Sequence, residues 1–137
     1  MAGKISLEIV TPERIVLTEE NAEMVVSPGE LGDFGVLAGH TPFLTSLRTG
    51  SLRYLTKDGQ EKIVFIKGGF AEALPSKVTI LADAAETKEN IDLQRAEEAK
   101  KRAEKRLNAD MPDEKTDFER ARTALRRAEA RIKVALL

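Results

Sequence analysis

The chain has 137 residues, enough for one ordinary domain or a small domain with an appendage. A third of it is charged, yet 22 basic against 23 acidic residues leave a net charge of −1, which argues against a dedicated nucleic-acid binder; the 42% hydrophobic content argues against a disordered acidic tail. With no cysteine and one histidine, disulfides, thiolate nucleophiles and multi-histidine metal sites are excluded.

No apolar run approaches the ~18 residues of a membrane span, and the first residues lack a signal-peptide core. The expectation is a soluble, cytoplasmic chain that meets a membrane only through a partner.

In chain order, the first half reads as short strands. Ile5, Leu7 and Ile9 alternate with polar residues, the period-2 pattern of a half-buried strand. Thr11-Pro12 punctuates, and Ile15 and Leu17 alternate again. Met24-Val25-Val26 is a β-branched run ending at Ser27-Pro28-Gly29. Leu52, Tyr54 and Ile63-Val64-Phe65-Ile66 flank Lys57-Asp58-Gly59-Gln60, whose Asp-Gly pair signals a hairpin turn. Phe70 to Leu74 and Val78 to Leu81 give two more strands around Pro75-Ser76. Seven or more short strands within 85 residues predict an antiparallel sandwich or barrel.

The composition then changes. All nine glycines fall between Gly3 and Gly69. Residues 1–85 carry a net charge of −3, whereas residues 86–137 carry +2 with nine alanines, no glycine and only Pro112. The boundary is placed at residues 85/86. Leu93, Ala96, Ala99, Ala103 and Leu107 form one helical stripe. Phe118, Ala121, Leu125, Ala128, Ile132 and Ala135 form another, so residues 86–137 are predicted to be an antiparallel two-helix hairpin. Asn108 to Asp113 reads as the stop between them, and Thr116 with Glu119 has capping-box spacing for the second helix. An alanine seam permits close approach but buries little area, so the hairpin is expected to detach at modest cost.

The chemistry-bearing candidates are few. The stretch Ser27 to Leu47 holds four glycines at 29, 32, 35 and 39. It lacks the Gly-Lys-Ser/Thr ending of a phosphate loop, and it continues into strands, unlike a dinucleotide fingerprint. His40 is the only classical general-base candidate, and no nucleophile motif accompanies it. A loop histidine fixed between Gly39 and Pro42 is the weightier reading. Arg95 and Arg102 lie two helical turns apart, and Arg127 and Arg131 one turn apart. Folding about residue 111 sets residue 95 opposite residue 127, so Arg95, Arg127 and Arg131 converge. Such a cluster suits a polyphosphate. From spacing alone, a solvated face neutralised by Asp92, Glu98 and Glu129 is the favoured alternative.

Gly39-His40-Thr41-Pro42, Leu47-Arg48-Thr49-Gly50, Gly68-Gly69-Phe70, Val78-Thr79-Ile80-Leu81-Ala82 and Ile91-Asp92-Leu93-Gln94-Arg95-Ala96, in that order and followed by an alanine-rich hairpin, resemble the epsilon subunits of bacterial rotary F-type ATP synthases. The resemblance covers essentially the whole chain. It implies a ten-strand antiparallel β-sandwich with a two-helix hairpin. It also implies a non-catalytic place in the central stalk, on the gamma subunit and the ring of c subunits, at the cytoplasmic face of the membrane. No cofactor is implied as a requirement. Asp33 and His40 take the positions that face the c ring. A mobile hairpin that extends towards the catalytic alpha/beta hexamer to restrain hydrolysis is implied as well. In some members ATP holds the hairpin compact, and that site maps onto Glu86, Ile91, Asp92, Arg95, Ala96, Arg102, Arg127 and Arg131. The resemblance thereby favours a nucleotide site over the solvated face. The stretch Met111-Pro112-Asp113 makes the inter-helix turn longer than in those members. Two other readings compete: a free-standing ATP sensor using the same arginines, and a nucleic-acid or chaperone-type adaptor. The adaptor calls for stacking aromatics, and Phe118, the only aromatic after residue 85, lies on the apolar seam.

Overall fold

A computed structural model describes residues 3–108 and 117–137. Seven strands come first: β1 (Ile5–Val10), β2 (Ile15–Gly29), β3 (Gly32–Val36), β4 (Phe43–Leu47), β5 (Gly50–Thr56), β6 (Glu61–Ala73) and β7 (Lys77–Thr87). A single 3-10 turn, Lys88–Asn90, leads into helices α1 (Leu93–Leu107) and α2 (Phe118–Leu136).

The strands form one hydrogen-bonded sheet that folds back on itself into two layers. In one layer, the second half of β2 pairs with β3 and β5, and β5 pairs with the first half of β6. In the other, β1 joins the first halves of β2 and β7, and the second half of β6 pairs with β4. β2, β6 and β7 run through both layers, so each serves as two strands. The expected ten-strand sandwich is thus built from seven continuous strands, three of which contribute to both layers. The expectation of a purely antiparallel sandwich is corrected, because β1 and β7 pair in parallel. They are the first and last strands of the sheet, and a parallel pair needs a long connection.

Gly68 and Gly69 explain why the sequence suggests two strands where β6 is one. Gly68 and Gly69 have φ of +57° and +112°, and the pairing with β7 skips from Lys67–Ala84 to Gly69–Ala82. The register is the same on both sides, so the strand bends here without an extra residue and without breaking. A Cβ on Gly69 would lie 2.1 Å from the Leu81 carbonyl oxygen, so only glycine fits. The turns read from sequence are present. Gly59 has φ +81° within the Thr56–Gln60 turn, and Leu74 and Lys77 exchange backbone hydrogen bonds around Pro75-Ser76.

Alternating residues fill the space between the layers. Ile5, Leu7, Ile9, Val25, Val36, Leu52, Val64, Ile66, Val78 and Ile80 are all buried there. Tyr54, the chain's one tyrosine, sits at the margin of this core.

α1 and α2 lie antiparallel, with Ala96, Ala103, Ala121 and Ala128 buried between and beneath them. α2 starts one residue later than the capping-box spacing implies. Thr116 lies outside the described residues, and the cap is Asp117, whose carboxylate accepts from the Arg120 amide at 3.0 Å. α2 packs against β5 and β6 and buries Val134, which belongs to neither predicted stripe.

Two measurements check this description. Residues 1–88 alone should fold, because the core is closed without a helical residue; a truncated chain lacking β-type circular dichroism and cooperative urea unfolding would contradict it. The Tyr54 phenol should titrate above its ordinary value of 10.0, first because burial disfavours the phenolate and then because Glu19 and Glu89 repel it. Its folded pKa is raised, so its contribution is fully present below pH ~10 and is lost as pH rises through the folded value. Phenolate absorbance, read only from this residue, should rise later in the folded chain than in urea.

Candidate functional site

The sandwich positions the hairpin through the segment after β7. β7 carries Glu86 on its outer face, the 3-10 turn follows, and Asp92 opens α1. The Asp92 carboxylate accepts from the Arg95 amide at 3.1 Å, so this residue is first of all a helix cap. Its charge and the positive end of α1 lie at one end of a cleft between the two helices.

The cleft has a volume of about 530 Å³. Seven of the eight residues assigned by resemblance line it: Glu86, Asp92, Arg95, Ala96, Arg102, Arg127 and Arg131. Ile91 is half-buried but does not line it. The structure adds Asn90, Arg106 and Arg120, with Ala99, Ala103, Ala124 and Ala128 forming the floor. Arg106 continues the Arg95–Arg102 row by one turn, and Arg120 precedes Arg127 by two. The same periodicity that selected the others therefore contained these two. Six arginines against Glu86 and Asp92 leave a strong positive excess, which repels itself unless an anion enters. Short alanine side chains below long guanidiniums give the geometry of an anion site, with an open floor and forked donors above.

The arginines are not equivalent. Arg95 and Arg102 are exposed, and Arg127 is half-buried. Arg131 is committed elsewhere: its Nε donates to Glu86 at 2.8 Å, and its guanidinium lies 4.4 Å from the centre of the Phe65 ring.

Asp33 and His40 lie away from this cleft. Asp33 stands on β3 and not in a loop, because the glycine-rich stretch folds as the β2–β3 hairpin before turning into β4. Its carboxylate is paired with Arg48, both about half exposed. His40 bonds through Nδ1 to the Thr41 carbonyl oxygen and sets its ring edge-on to Phe43 at 4.9 Å. Phe43 in turn meets Phe34 at 5.2 Å. This is the fixed loop histidine anticipated, with aromatic support that sequence spacing did not suggest. Among the described residues no cluster of metal-ligating side chains occurs, and no helix is long and apolar enough to cross a membrane.

A β-sandwich bearing an arginine-lined, alanine-floored helical hairpin defines a two-part protein with an anion cleft in the appendage. Residues 4–88 match the ATP synthase, Delta/Epsilon chain, beta-sandwich domain, and residues 89–135 match the ATP synthase, Delta/Epsilon chain, long alpha-helix domain. The chain belongs to this family, on the bacterial F-type epsilon side of it. It is 53% identical over 109 residues to an ATP synthase epsilon chain of Desulfosudis oleivorans, covering 80% of this chain and 81% of that one. It is 55% identical over 108 residues to that of Desulforapulum autotrophicum, covering 79% of each. Among solved structures, a chain of the Euglena gracilis mitochondrial ATP synthase OSCP/F1/c-ring assembly superposes with a TM-score of 0.83 at 26% identity, covering 100% of this chain and 84% of that one.

The Asp33–Arg48 pair should contribute little to folding. Exposed ion pairs are worth ~0–1 kcal/mol, so Arg48→Ala should shift the free energy of urea unfolding by less than about 1 kcal/mol. A larger loss would mean that the pair holds the β2–β3 hairpin in place.

Proposed function

We propose that the chain is a non-catalytic rotor subunit of the central stalk of a bacterial F-type ATP synthase, coupling proton flow to ATP synthesis and regulating hydrolysis through its hairpin. The observation that carries this is the match of both parts, in order and over nearly the whole chain, to a family whose relatives are named ATP synthase epsilon chain.

Two surfaces suit two partners. On the outer face of the second layer, Val10 pairs with Leu81 and Leu81 with Phe70. Directly opposed residues share a face, so these three form an apolar row with Leu81 and Phe70 exposed. Leu44 is exposed on the same face. The gamma subunit is its occupant in this reading. Asp33 with Arg48, and the His40 loop with exposed Leu37, turn towards the polar loops of the c ring. The complex then lies at the cytoplasmic face of the membrane, with this chain peripheral to it.

ATP is the regulatory ligand of the arginine cleft. Arg95, Arg102 and Arg127, unpaired among the described residues, present their guanidiniums to its phosphates, and Ala96 flanks the base. The structure has the compact hairpin, the form that ATP stabilises. A ligand bound only to this form adds RT ln(1 + [ATP]/Kd), about 2.7 kcal/mol at a hundredfold excess over Kd. When ATP is scarce, the hairpin extends towards the alpha/beta hexamer. The free-standing sensor is not favoured, because the sandwich matches the family as fully as the hairpin does.

Calorimetry of the full chain should show ATP binding at millimolar concentration or below, weakened about tenfold or more in Arg95→Ala and Arg127→Ala. An unchanged affinity in both variants places the nucleotide elsewhere; no binding by the parent leaves only the rotor role. Phe70→Glu with Leu81→Glu should abolish assembly with gamma. Asp33→Arg should weaken binding to the membrane sector and leave hydrolysis by the soluble sector intact.

A further inference from the structure

Phe65 is fully buried, yet it does not belong to the core between the sandwich layers. Its neighbours Val64 and Ile66 point into that core, so Phe65 points out of the sandwich. It is covered from outside, by α2. Glu86 stands directly opposite Phe65 across the β6–β7 ladder, so the two share the outer face. Arg131, from the last turns of α2, reaches both. Its guanidinium lies 4.4 Å over the ring, and its Nε donates to the Glu86 carboxylate at 2.8 Å. The Arg131 and Glu86 side chains are 28% and 27% exposed, so solvent screens the pair less than it would a surface pair.

We propose that Phe65, Glu86 and Arg131 form a nucleotide-independent latch that holds the hairpin on the sandwich, and that Arg131 is a positioning residue and not a phosphate ligand. The proposal rests on the reading of the hairpin as an element that docks and leaves. The assignment follows from which donors are free. A phosphate drawing on Arg131 would compete with a carboxylate already bonded to it and would pull the guanidinium off the ring. Among the described residues, Arg95, Arg102 and Arg127 carry no such commitment. The latch also has a direction. Undocking exposes Phe65 to water and breaks the Arg131–Glu86 bond, so both losses oppose release. Nucleotide binding and docking are then separate steps, and docking sets the fraction of chains competent to bind, which scales the apparent affinity.

The test uses the full chain, which has no cysteine of its own. Spin labels at Lys57→Cys and Glu129→Cys, both exposed positions, report docking through their distance distribution. The measurement is made without nucleotide across a urea series below unfolding of the sandwich, so that both populations stay within range. Arg131→Gln and Glu86→Gln should each lower the docked-to-undocked ratio about tenfold. Phe65→Leu should lower it less. The Phe65→Leu, Arg131→Gln pair should be non-additive, the signature of direct contact. The sandwich should unfold at unchanged urea in Arg131→Gln, which alters no core residue. An unchanged nucleotide-free ratio in Arg131→Gln, together with a tenfold loss of ATP affinity, overturns the latch and returns Arg131 to the phosphates. A lowered ratio in a parent that binds no ATP upholds the latch while the nucleotide reading fails.

Discussion

A phenylalanine on the outside of a sandwich must be covered, and Phe65 is covered by a helix that little else holds. Alternation along β6 leaves no choice about where this ring points, since turning it inward would expel Val64 and Ile66 from the core. The helix that shields it meets its own partner through alanines at 96, 103, 121 and 128. Those side chains bring two backbones close and bury little area. The hairpin is thus held at two places, by the chain itself after β7 and by the ring, carboxylate and Val134 near the end of α2.

Alanine at the seam also creates the cleft. Larger residues would fill the space under the guanidiniums with their own side chains. With alanine, the floor is shallow and the arginines of both helices rise around about 530 Å³ of open volume. The mutual repulsion of that cluster favours separation of the helices when nothing binds, and an anion reverses the sign. One compositional choice accounts for weak association of the helices, for room for a ligand and for electrostatic demand for one.

Much of this was legible in the residues. The period-2 runs mark the core of β1 and β5, Asp58-Gly59 and Pro75-Ser76 mark the β5–β6 and β6–β7 turns, and the loss of glycine after Gly69 separates the two parts. The errors have physical causes. Gly68-Gly69 looks like a break because glycine punctuates loops, but here it lets one strand bend past Leu81 without ending. The parallel β1–β7 pair is a long-range pairing that no local pattern records. Asp117 caps α2, and spacing alone does not rank it against other residue types that can cap. Arg106 and Arg120 fall on the arginine faces but outside the family pattern, so periodicity reaches them and the resemblance does not. Phe65 was hidden inside Ile63-Val64-Phe65-Ile66, a run that reads as buried throughout. Val64, Phe65 and Ile66 are buried and Ile63 is half-buried, and no sequence pattern says that one of them is covered by a different domain.

The latch and the cleft act on the same element with different reach. Glu86 and Arg131 are 45 residues apart, so their contact closes the whole hairpin into a loop. Closing a tethered loop costs far less than bringing together two free molecules, because the chain supplies a high effective concentration. Contacts each worth only about tenfold therefore suffice to keep the hairpin docked. The same modest strength keeps it releasable, for a contact set much stronger would make the ligand irrelevant. An anion in the cleft joins α1 to α2 further from the hinge than Glu86 does, so it stiffens the lever that Arg131 pins. A hairpin pinned at its root and closed along its length cannot extend without losing both, so latch and ligand each add to the stability of the docked state while every individual contact stays weak.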